Sequence, residues 1–277
     1  MKKTVIALCA LAFASTAAYA KDNITIVGSS TVYPFTTTVA EAFGKQGHPT
    51  PIVESTGTGG GVKMFCEGAG DETPDIVNAS RPMKEAEIEM CKKNGITPEE
   101  IKIGFDAIVL AMSNSDNDVK ITSKQLYLAL AKYVFVEGEF VENPVQKWSD
   151  IDPSLPDKKI EVLGPPPTSG TRDSFTELVI EKQCKAVLVE AGKELSADDE
   201  KKYCKSIRED GAYIEAGEND NLIVQKLQAN PNALGIFGYS FLEQNTSTIK
   251  AATIDGVEPS FDSVSDGSYP ISRPLFI

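Results

Sequence analysis

The chain has 277 residues, of which 27 are Lys or Arg and 40 are Asp or Glu, so its formal net charge is −13. An acidic surface repels nucleic acid and anionic membranes, which argues against both as partners. Beyond the first twenty residues, no stretch approaches the ~18 consecutive apolar residues that a membrane-spanning helix needs.

The first twenty residues have the organisation of a secretory signal peptide. Two lysines are followed by an apolar stretch at 5–14 and by an A-x-A cleavage pattern at 18–20. We therefore expect residues 1–20 to be removed on export to the periplasm, which leaves 25 basic and 40 acidic residues. A lipoprotein signal that uses Cys9 is the alternative, but too little apolar sequence precedes that cysteine.

Two segments near the start of the mature chain share one pattern: a short strand, a loop rich in Gly, Ser and Thr, and then a helix. The first strand is predicted at 24–27 with its loop at 28–34, and the second strand at 52–54 with its loop at 55–61. Glycine lets the backbone come close to a ligand, and hydroxyl groups can donate to it. Neither loop has the Gly and Lys spacing of a nucleotide-binding motif.

The rest of the chain alternates short β-branched stretches with helical patterns, which predicts an α/β fold with largely parallel sheets. A long strand is predicted at 101–112, a helix with Ser123 as its N-cap at 123–133, and a further strand at 233–239. About 257 residues remain after the leader, enough for one large domain or for two lobes of ordinary size.

A third loop of the same kind follows a strand predicted at 160–163. After three prolines, Ser169, Gly170 and Thr171 occupy the predicted first turn of a helix. A helix N-terminus exposes unpaired N–H groups with partial positive charge, and Arg172 adds a fork of donors suited to a tetrahedral oxyanion. The alternative is an ordinary N-cap with Arg172 in solvent. Three such loops in one chain favour a cleft that binds a small anion.

Six motifs along the chain resemble the phosphate-binding protein of bacterial phosphate ABC transporters, the PstS type. They are GSSTVYP (28–34), GTGGG (57–61), DIVNASR (75–81), TSGTRD (168–173), GEND (217–220) and YPISRPL (269–275). Together they extend from just after the leader to the last residues of the chain.

This resemblance implies an α/β type II periplasmic binding protein, with two lobes joined by crossover hinge strands. The expected division is lobe 1 at 21–105, lobe 2 at 106–234 and a return segment of lobe 1 at 235–277. The strands near 104–112 and 233–239 would be the hinges. Arg273 is expected to hold the C-terminal segment in place.

The resemblance also implies capture of inorganic phosphate between the lobes and delivery to a membrane-embedded ABC permease, by a monomer without catalysis, cofactor or metal. The expected phosphate ligands are Ser30, Thr31, Val32, Thr58, Gly59, Arg81, Asp106, Ser169, Gly170, Thr171 and Arg172. Another tetrahedral oxyanion, such as sulfate or molybdate, is the alternative among binding proteins. A secreted serine hydrolase or phosphatase is the alternative among enzymes, but the chain has one histidine and no G-x-S-x-G motif.

Two positions depart from the family pattern. The best-known members have an aspartate where this chain has Arg81, and an arginine before Ser-Gly-Thr where this chain has prolines. Phosphate keeps a proton near neutral pH and sulfate does not, so a site selective for phosphate needs an acceptor for that proton. Asp106, a lone acid in the apolar run 103–112, is our hypothesis for the acceptor. The alternative is that Asp106 forms an ion pair with Arg81 and does not meet the ligand.

Four cysteines remain once Cys9 is removed with the leader: Cys66, Cys91, Cys184 and Cys204. They allow three pairings, and an even number in an oxidising compartment favours disulfides over a metal site, since no C-x-x-C is present. We expect the pairs Cys66–Cys91 and Cys184–Cys204, because each closes a local segment within one expected lobe. Both bridges would be structural.

Overall fold

The structure, a computed structural model, describes residues 23–167, 169–217 and 220–277, so the predicted signal peptide at 1–20 lies outside it. The strands are β1 (Thr25–Gly28), β2 (Ile52–Ser55), β3 (Ile76–Asn78), β4 (Lys102–Ser113), β5 (Lys120–Ile121), β6 (Tyr133–Val136), β7 (Glu139–Glu142), β8 (Val162–Gly164), β9 (Tyr213–Glu215), β10 (Leu234–Gly238), β11 (Ile249–Ala251), β12 (Thr253–Ile254) and β13 (Ser272–Phe276). The helices are α1 (Tyr33–Lys45), α2 (Thr58–Phe65), α3 (Glu85–Lys93), α4 (Ser123–Leu130), α5 (Trp148–Ile151), α6 (Gly170–Phe175), α7 (Lys182–Glu190), α8 (Ala197–Cys204), α9 (Asp220–Ala229), α10 (Tyr239–Gln244) and α11 (Phe261–Ser265), with a π-helical segment, Thr176–Glu181, between α6 and α7.

A small parallel sheet with the strand order β2-β1-β3 forms the N-terminal part of the fold. Because its strands are parallel, the loops at their carboxyl ends lie along one edge of the sheet. The buried core beside this sheet is small and consists of Val62, Cys66 and Cys91, with partly buried apolar residues packed against them. The Cys66–Cys91 disulfide lies in this core, which confirms the predicted pair.

A second and larger sheet has the strand order β11-β4-β10-β8-β9, and β13 also pairs with β4. Strand β8 is parallel to β9 and β10, but β4 is antiparallel to β10, β11 and β13. The prediction of largely parallel sheets is therefore correct for the first sheet and only partly correct for the second. The main apolar core, which includes Leu110, Phe175 and Ile236, belongs to this sheet. The predicted Cys184–Cys204 disulfide joins α7 to α8 here.

Strand β4 pairs along its length with strands of the larger sheet, and its partner β13 makes the link to the first sheet. Its first half pairs with β13, and its second half pairs with β10 and β11. The end of β13 reaches the first sheet, where Ala79 and Phe276 exchange backbone hydrogen bonds of 2.9 and 2.8 Å. The lobe boundaries stay a prediction. Strand pairing favours a return to the first lobe at β13 instead of residue 235, because β10 and β11 are hydrogen-bonded to the second sheet.

Helix α4 begins where predicted and ends three residues earlier than predicted, at Leu130. Its N-cap is Thr122 and not Ser123, since the Thr122 side chain accepts a hydrogen bond from the Gln125 N–H at 3.0 Å. The Gln125 side chain in turn accepts from the Thr122 N–H at 2.9 Å, which completes a capping box. No helix within the described part of the chain is long and apolar enough to cross a membrane.

Candidate anion-binding site

One wall of a cavity of about 420 Å³ is built by the loops that follow β1, β2 and β3. The residues of these loops that line the cavity are Ser29, Ser30, Thr31, Gly57, Thr58, Gly59, Ser80, Arg81 and Lys84. A Cβ atom at Gly61 would lie 2.7 Å from the Gly28 Cα, so α2 packs this closely against the first loop only with glycine there. Thr58 Oγ1 accepts from the Ser80 N–H at 3.1 Å and so ties the second loop to the third. Apart from Val32, the predicted first-lobe ligands thus lie together.

The second wall begins at α6, where the predicted Ser-Gly-Thr turn is found. Ser169 is the N-cap, and its hydroxyl accepts a hydrogen bond from the Thr171 N–H at 3.3 Å. A Cβ atom at Gly170 would lie 2.9 Å from the carbonyl carbon of Ser30, whose Oγ donates to Asp173 Oδ2 at 2.9 Å. The turn is therefore in direct contact with the first loop.

Further along the same helix, the second wall carries carboxylates that sequence reasoning did not single out. Its lining residues are Asp173, Thr176, Glu177, Glu181, Lys205 and Arg273. Three of them lie in the π-helical segment, a form of helix that is frequent at functional sites. Burial acts to raise the pKa of Glu181, but hydrogen bonds from Lys185 and Lys205 outweigh it, so that the pKa is lowered.

Arg81 lines the cavity but is already paired within its own wall. Its two terminal nitrogens donate to the carboxylate oxygens of Glu87 at 2.8 and 2.9 Å, and one also donates to the Pro82 carbonyl at 3.0 Å. The hydrogen bond from Arg81 holds the pKa of Glu87 below its ordinary value. A contact between Arg81 and a ligand stays a prediction. The alternative ion pair of Arg81 with Asp106 is wrong, because Arg81 bonds Glu87 instead.

Six predicted ligands do not line the cavity: Val32, Asp106, Ser169, Gly170, Thr171 and Arg172. The guanidinium of Arg172 is buried and lies 4.4 Å from the centre of the Tyr213 ring, with Nη1 at 3.4 Å from the Pro165 carbonyl and 3.5 Å from Glu215 Oε1. Its position on α6 directs it toward the second sheet, so this arrangement does not support the predicted contact with an anion. The side chain of Val32 is fully buried, and a contact through its backbone N–H stays untested.

Asp106 lies opposite Arg273 in the β4–β13 pairing, with Oδ2 3.7 Å from the Arg273 Nε. Burial raises the pKa of Asp106, and the nearby positive charge of Arg273 opposes that rise. Neither Asp106 Oδ2 nor Arg273 Nε has a hydrogen-bond partner among the described residues. Asp106 is therefore the ionic neighbour of a different arginine from the one predicted, and its role as a proton acceptor stays a hypothesis.

Arg273 is the functional candidate that sequence reasoning missed, since it was expected only to hold the C-terminal strand. It lines the cavity, and its Nη2 donates to Thr31 Oγ1 at 2.5 Å and to Ser174 Oγ, while Nη1 donates to Glu177 Oε2 at 2.8 Å. Arg273 shares one buried face with Ile271 and Leu275, and a charge on the buried face of a strand is a signal that could have identified it.

The chain matches the model of the PBP superfamily domain over residues 14–277. The protein SphX of Synechocystis sp. is 35% identical over 271 residues, which cover 95% of this chain and 70% of SphX. The phosphate-binding protein PstS of Staphylococcus saprophyticus is 32% identical over 258 residues, covering 90% of this chain and 67% of that protein. The crystal structure of a possible phosphate binding protein from Planctomyces limnophilus has a TM-score of 0.72 at 33% identity, and covers 92% of this chain and 80% of that one.

The fold and the cleft define a two-lobed binding protein of the type II periplasmic class, as predicted. The chain belongs to the PBP superfamily and, within it, to the PstS-type phosphate-binding proteins. The match extends over almost the whole chain, so it includes the strands that carry both walls of the cavity.

Proposed function

We propose that the protein acts outside the cytoplasm, where it captures inorganic phosphate in the cavity between the two walls and delivers it to a membrane-embedded ABC permease. The observation that carries this proposal is the convergence on one cavity of the loops after β1, β2 and β3, the first two of them rich in glycine and hydroxyl groups, with Arg81 and Arg273 among the lining residues. A desolvated oxyanion needs donors from several directions, and hydrogen bonds to a charged acceptor are among the stronger ones. The names of the Staphylococcus relative and the Planctomyces structure support phosphate as the ligand.

In this proposal Ser30, Thr31, Thr58 and Gly59 provide hydroxyl and backbone N–H donors from the first wall. Arg273 provides a buried cation where the two walls meet. The α6 turn, with Ser169, Gly170 and Thr171, has less support as a ligand, because it contacts the Ser30 loop directly. Its N–H groups can serve a ligand only if that contact rearranges.

We further propose that residues 1–20 direct export, that the protein acts as a monomer and that it catalyses no reaction. Two disulfides support an oxidising compartment, since such bonds persist mainly outside the cytoplasm. The two lobes would close on the ligand by bending at β4 and β13, because β13 pairs with β4 and its end is bridged to the first sheet at Ala79.

The direct test is equilibrium dialysis of the mature protein against radiolabelled phosphate, with sulfate, arsenate or molybdate in excess as competitors. We expect one saturable site with a micromolar or lower Kd that excess sulfate does not empty. Thr58→Ala removes the hydroxyl that ties two loops together and should weaken binding about tenfold. Thr38→Ala is the matched control, since its exposed hydroxyl bonds only within α1, at 2.9 Å from the Pro34 carbonyl.

Absence of phosphate binding by the folded protein, or tighter binding of sulfate, would overturn the proposed ligand. Turnover of a chromogenic phosphate ester would overturn the non-catalytic part of the proposal. Multi-angle light scattering of the same sample checks the monomeric state.

A further inference from the structure

Three cations at the cavity already have a carboxylate partner. Arg81 pairs with Glu87 at 2.8 Å, Lys205 with Glu181 at 3.1 Å, and Arg273 with Glu177 at 2.8 Å. Lys84, the fourth cation of the lining, has no ion pair among the described residues. An oxyanion that contacts Arg81, Lys205 or Arg273 must therefore compete with a carboxylate of the protein for that contact.

The three partner carboxylates differ in how easily they can leave. The side chains of Glu87 and Glu181 are each only 16% exposed, whereas that of Glu177 is 44% exposed. Glu87 is held by both terminal nitrogens of Arg81, and Glu181 is held by two lysines. Glu177 has one ion pair, through one oxygen, and an ion pair near solvent contributes little net free energy. Glu177 is therefore the partner that can be displaced at the lowest cost.

The surroundings of Arg273 also identify the contact at which the exchange would occur. Its Nη2 is occupied by Thr31 and Ser174, and its Nε lies beside Asp106. Glu177 is bonded at Nη1, the remaining corner of the guanidinium. Arg273 is only 5% exposed, and a buried cation without any partner is strongly destabilising, but Asp106 remains beside Nε when Glu177 leaves Nη1.

We propose that Glu177 is an internal competitor of the bound oxyanion: its carboxylate holds Nη1 of Arg273 in the empty cavity and gives that position to an oxygen of the ligand on binding. This inference rests on the proposed function, since it takes the ligand to be a tetrahedral oxyanion. Glu177 makes binding weaker than the donors alone would make it, and it speeds release because it re-forms its bond as the ligand leaves.

A different role for Glu177, as acceptor for the proton of monohydrogen phosphate, leads to a different result. A competitor repels phosphate and sulfate alike, because both are anions that require the same corner of Arg273. A proton acceptor favours phosphate and repels only the anion without a proton. The ratio of the two affinities therefore separates the roles.

The test is Glu177→Gln, which removes the charge with little change in shape. We expect the Kd for phosphate and that for sulfate to fall by a similar factor of about five to ten, and the phosphate off-rate to fall with them. Glu190→Gln is the matched control, because it removes one negative charge from an exposed position on α7 that pairs with Lys124 outside the cavity. Its effect should stay below about twofold, since salt screens distant surface charges. Glu177→Asp, which keeps the charge but shortens the reach to Nη1, should tighten both anions in part.

Weaker phosphate binding together with tighter sulfate binding in Glu177→Gln would overturn the proposal in favour of a proton acceptor. Unchanged affinity for both anions in the folded variant would also overturn it. If Glu177→Gln does not fold, Glu177→Asp is the test of the proposal. Unchanged affinities for both anions in that variant would contradict the role of Glu177 as a competitor. If the parent protein binds sulfate but no phosphate, the proposed function is contradicted, and the role of Glu177 as a competitor can still be tested with sulfate as the ligand. A parent that binds neither anion would end both.

Discussion

The two walls of the cavity present different kinds of polar group. The first wall consists of loops at the ends of parallel strands and offers hydroxyl and backbone N–H groups, and its arginine, Arg81, is already bonded to Glu87. The second wall is a helix with a π-helical segment and carries the carboxylates of Asp173, Glu177 and Glu181. Hydroxyl and N–H donors, with Arg81 and Lys84 beside them, thus lie opposite three carboxylates.

This difference explains how a chain with a net charge of −13 can contain an anion site. Neutral donors held by a loop backbone act at hydrogen-bond distance, whereas the field of surface charges is screened within about 8–10 Å at physiological salt. Affinity can therefore come from the first wall, while the carboxylates of the second wall limit it. The walls also differ in packing, because the first sheet has a much smaller buried core than the second.

The largest effect is expected from a residue that touches both walls. Arg273→Ala removes contacts to Thr31, Ser174 and Glu177, and should weaken phosphate binding by about 2–4 kcal/mol. The free energy of unfolding should fall by about 3–5 kcal/mol, because Asp106 loses its buried counter-ion. Equilibrium dialysis and chemical denaturation measure the two changes.

Arg273→Lys is the control for this substitution, since it keeps the charge but loses the planar fork of donors. Relative to Arg273→Ala, Arg273→Lys should restore a larger part of the lost free energy of unfolding than of the lost phosphate affinity. If a folded Arg273→Ala variant binds phosphate with the affinity of the parent protein, the cation shared by the two walls is not required for phosphate binding.

The next effect concerns the small core beside the first sheet. The double substitution Cys66→Ser with Cys91→Ser should lower the free energy of unfolding by about 3 kcal/mol, as expected for a loop of this length. Because few other buried residues hold this part together, amide hydrogen exchange should become faster in β1, β2 and β3.

The matched control is Cys184→Ser with Cys204→Ser, which opens a loop of similar length, 20 residues against 25. Faster exchange there should stay confined to α7 and α8, since the main core holds the second sheet. Equal and uniform acceleration in both variants would show that the two sheets unfold as one unit.

The smallest effect is expected from an arginine that lies behind the second wall. Arg172→Ala should lower the free energy of unfolding by about 1–2 kcal/mol, because it loses the contact with the Tyr213 ring and the bond to the Pro165 carbonyl. Phosphate affinity should change less than about threefold, as measured by dialysis. A loss beyond tenfold in the folded variant would mean that the second wall rearranges to bring Arg172 to the ligand.

Local patterns in the sequence were sufficient to predict much of the first wall and both disulfides. A strand followed by a loop of Gly, Ser and Thr and then a helix is recognisable within about fifteen residues, and parallel strands bring such loops to one edge. Thr58 and Ser30 could therefore be predicted as neighbours in the cavity. The cysteine pairs are close in sequence, so locality identified them.

The sequence by itself determined the family, the strand-to-helix loops and the presence of arginines near a cleft. Tertiary structure decided that Arg273 lines the cleft together with the predicted Arg81 and that Arg172 does not. Arg172 is adjacent to the predicted turn, but the packing of α6 on the second sheet directs its side chain to Tyr213. Arg273 is far from every loop in sequence, yet the register of β13 on β4 places it beside Asp106 and Thr31. Side-chain direction on a helix depends on the face that packs, and neighbours across a sheet depend on register, and both arise from contacts between segments distant in the chain.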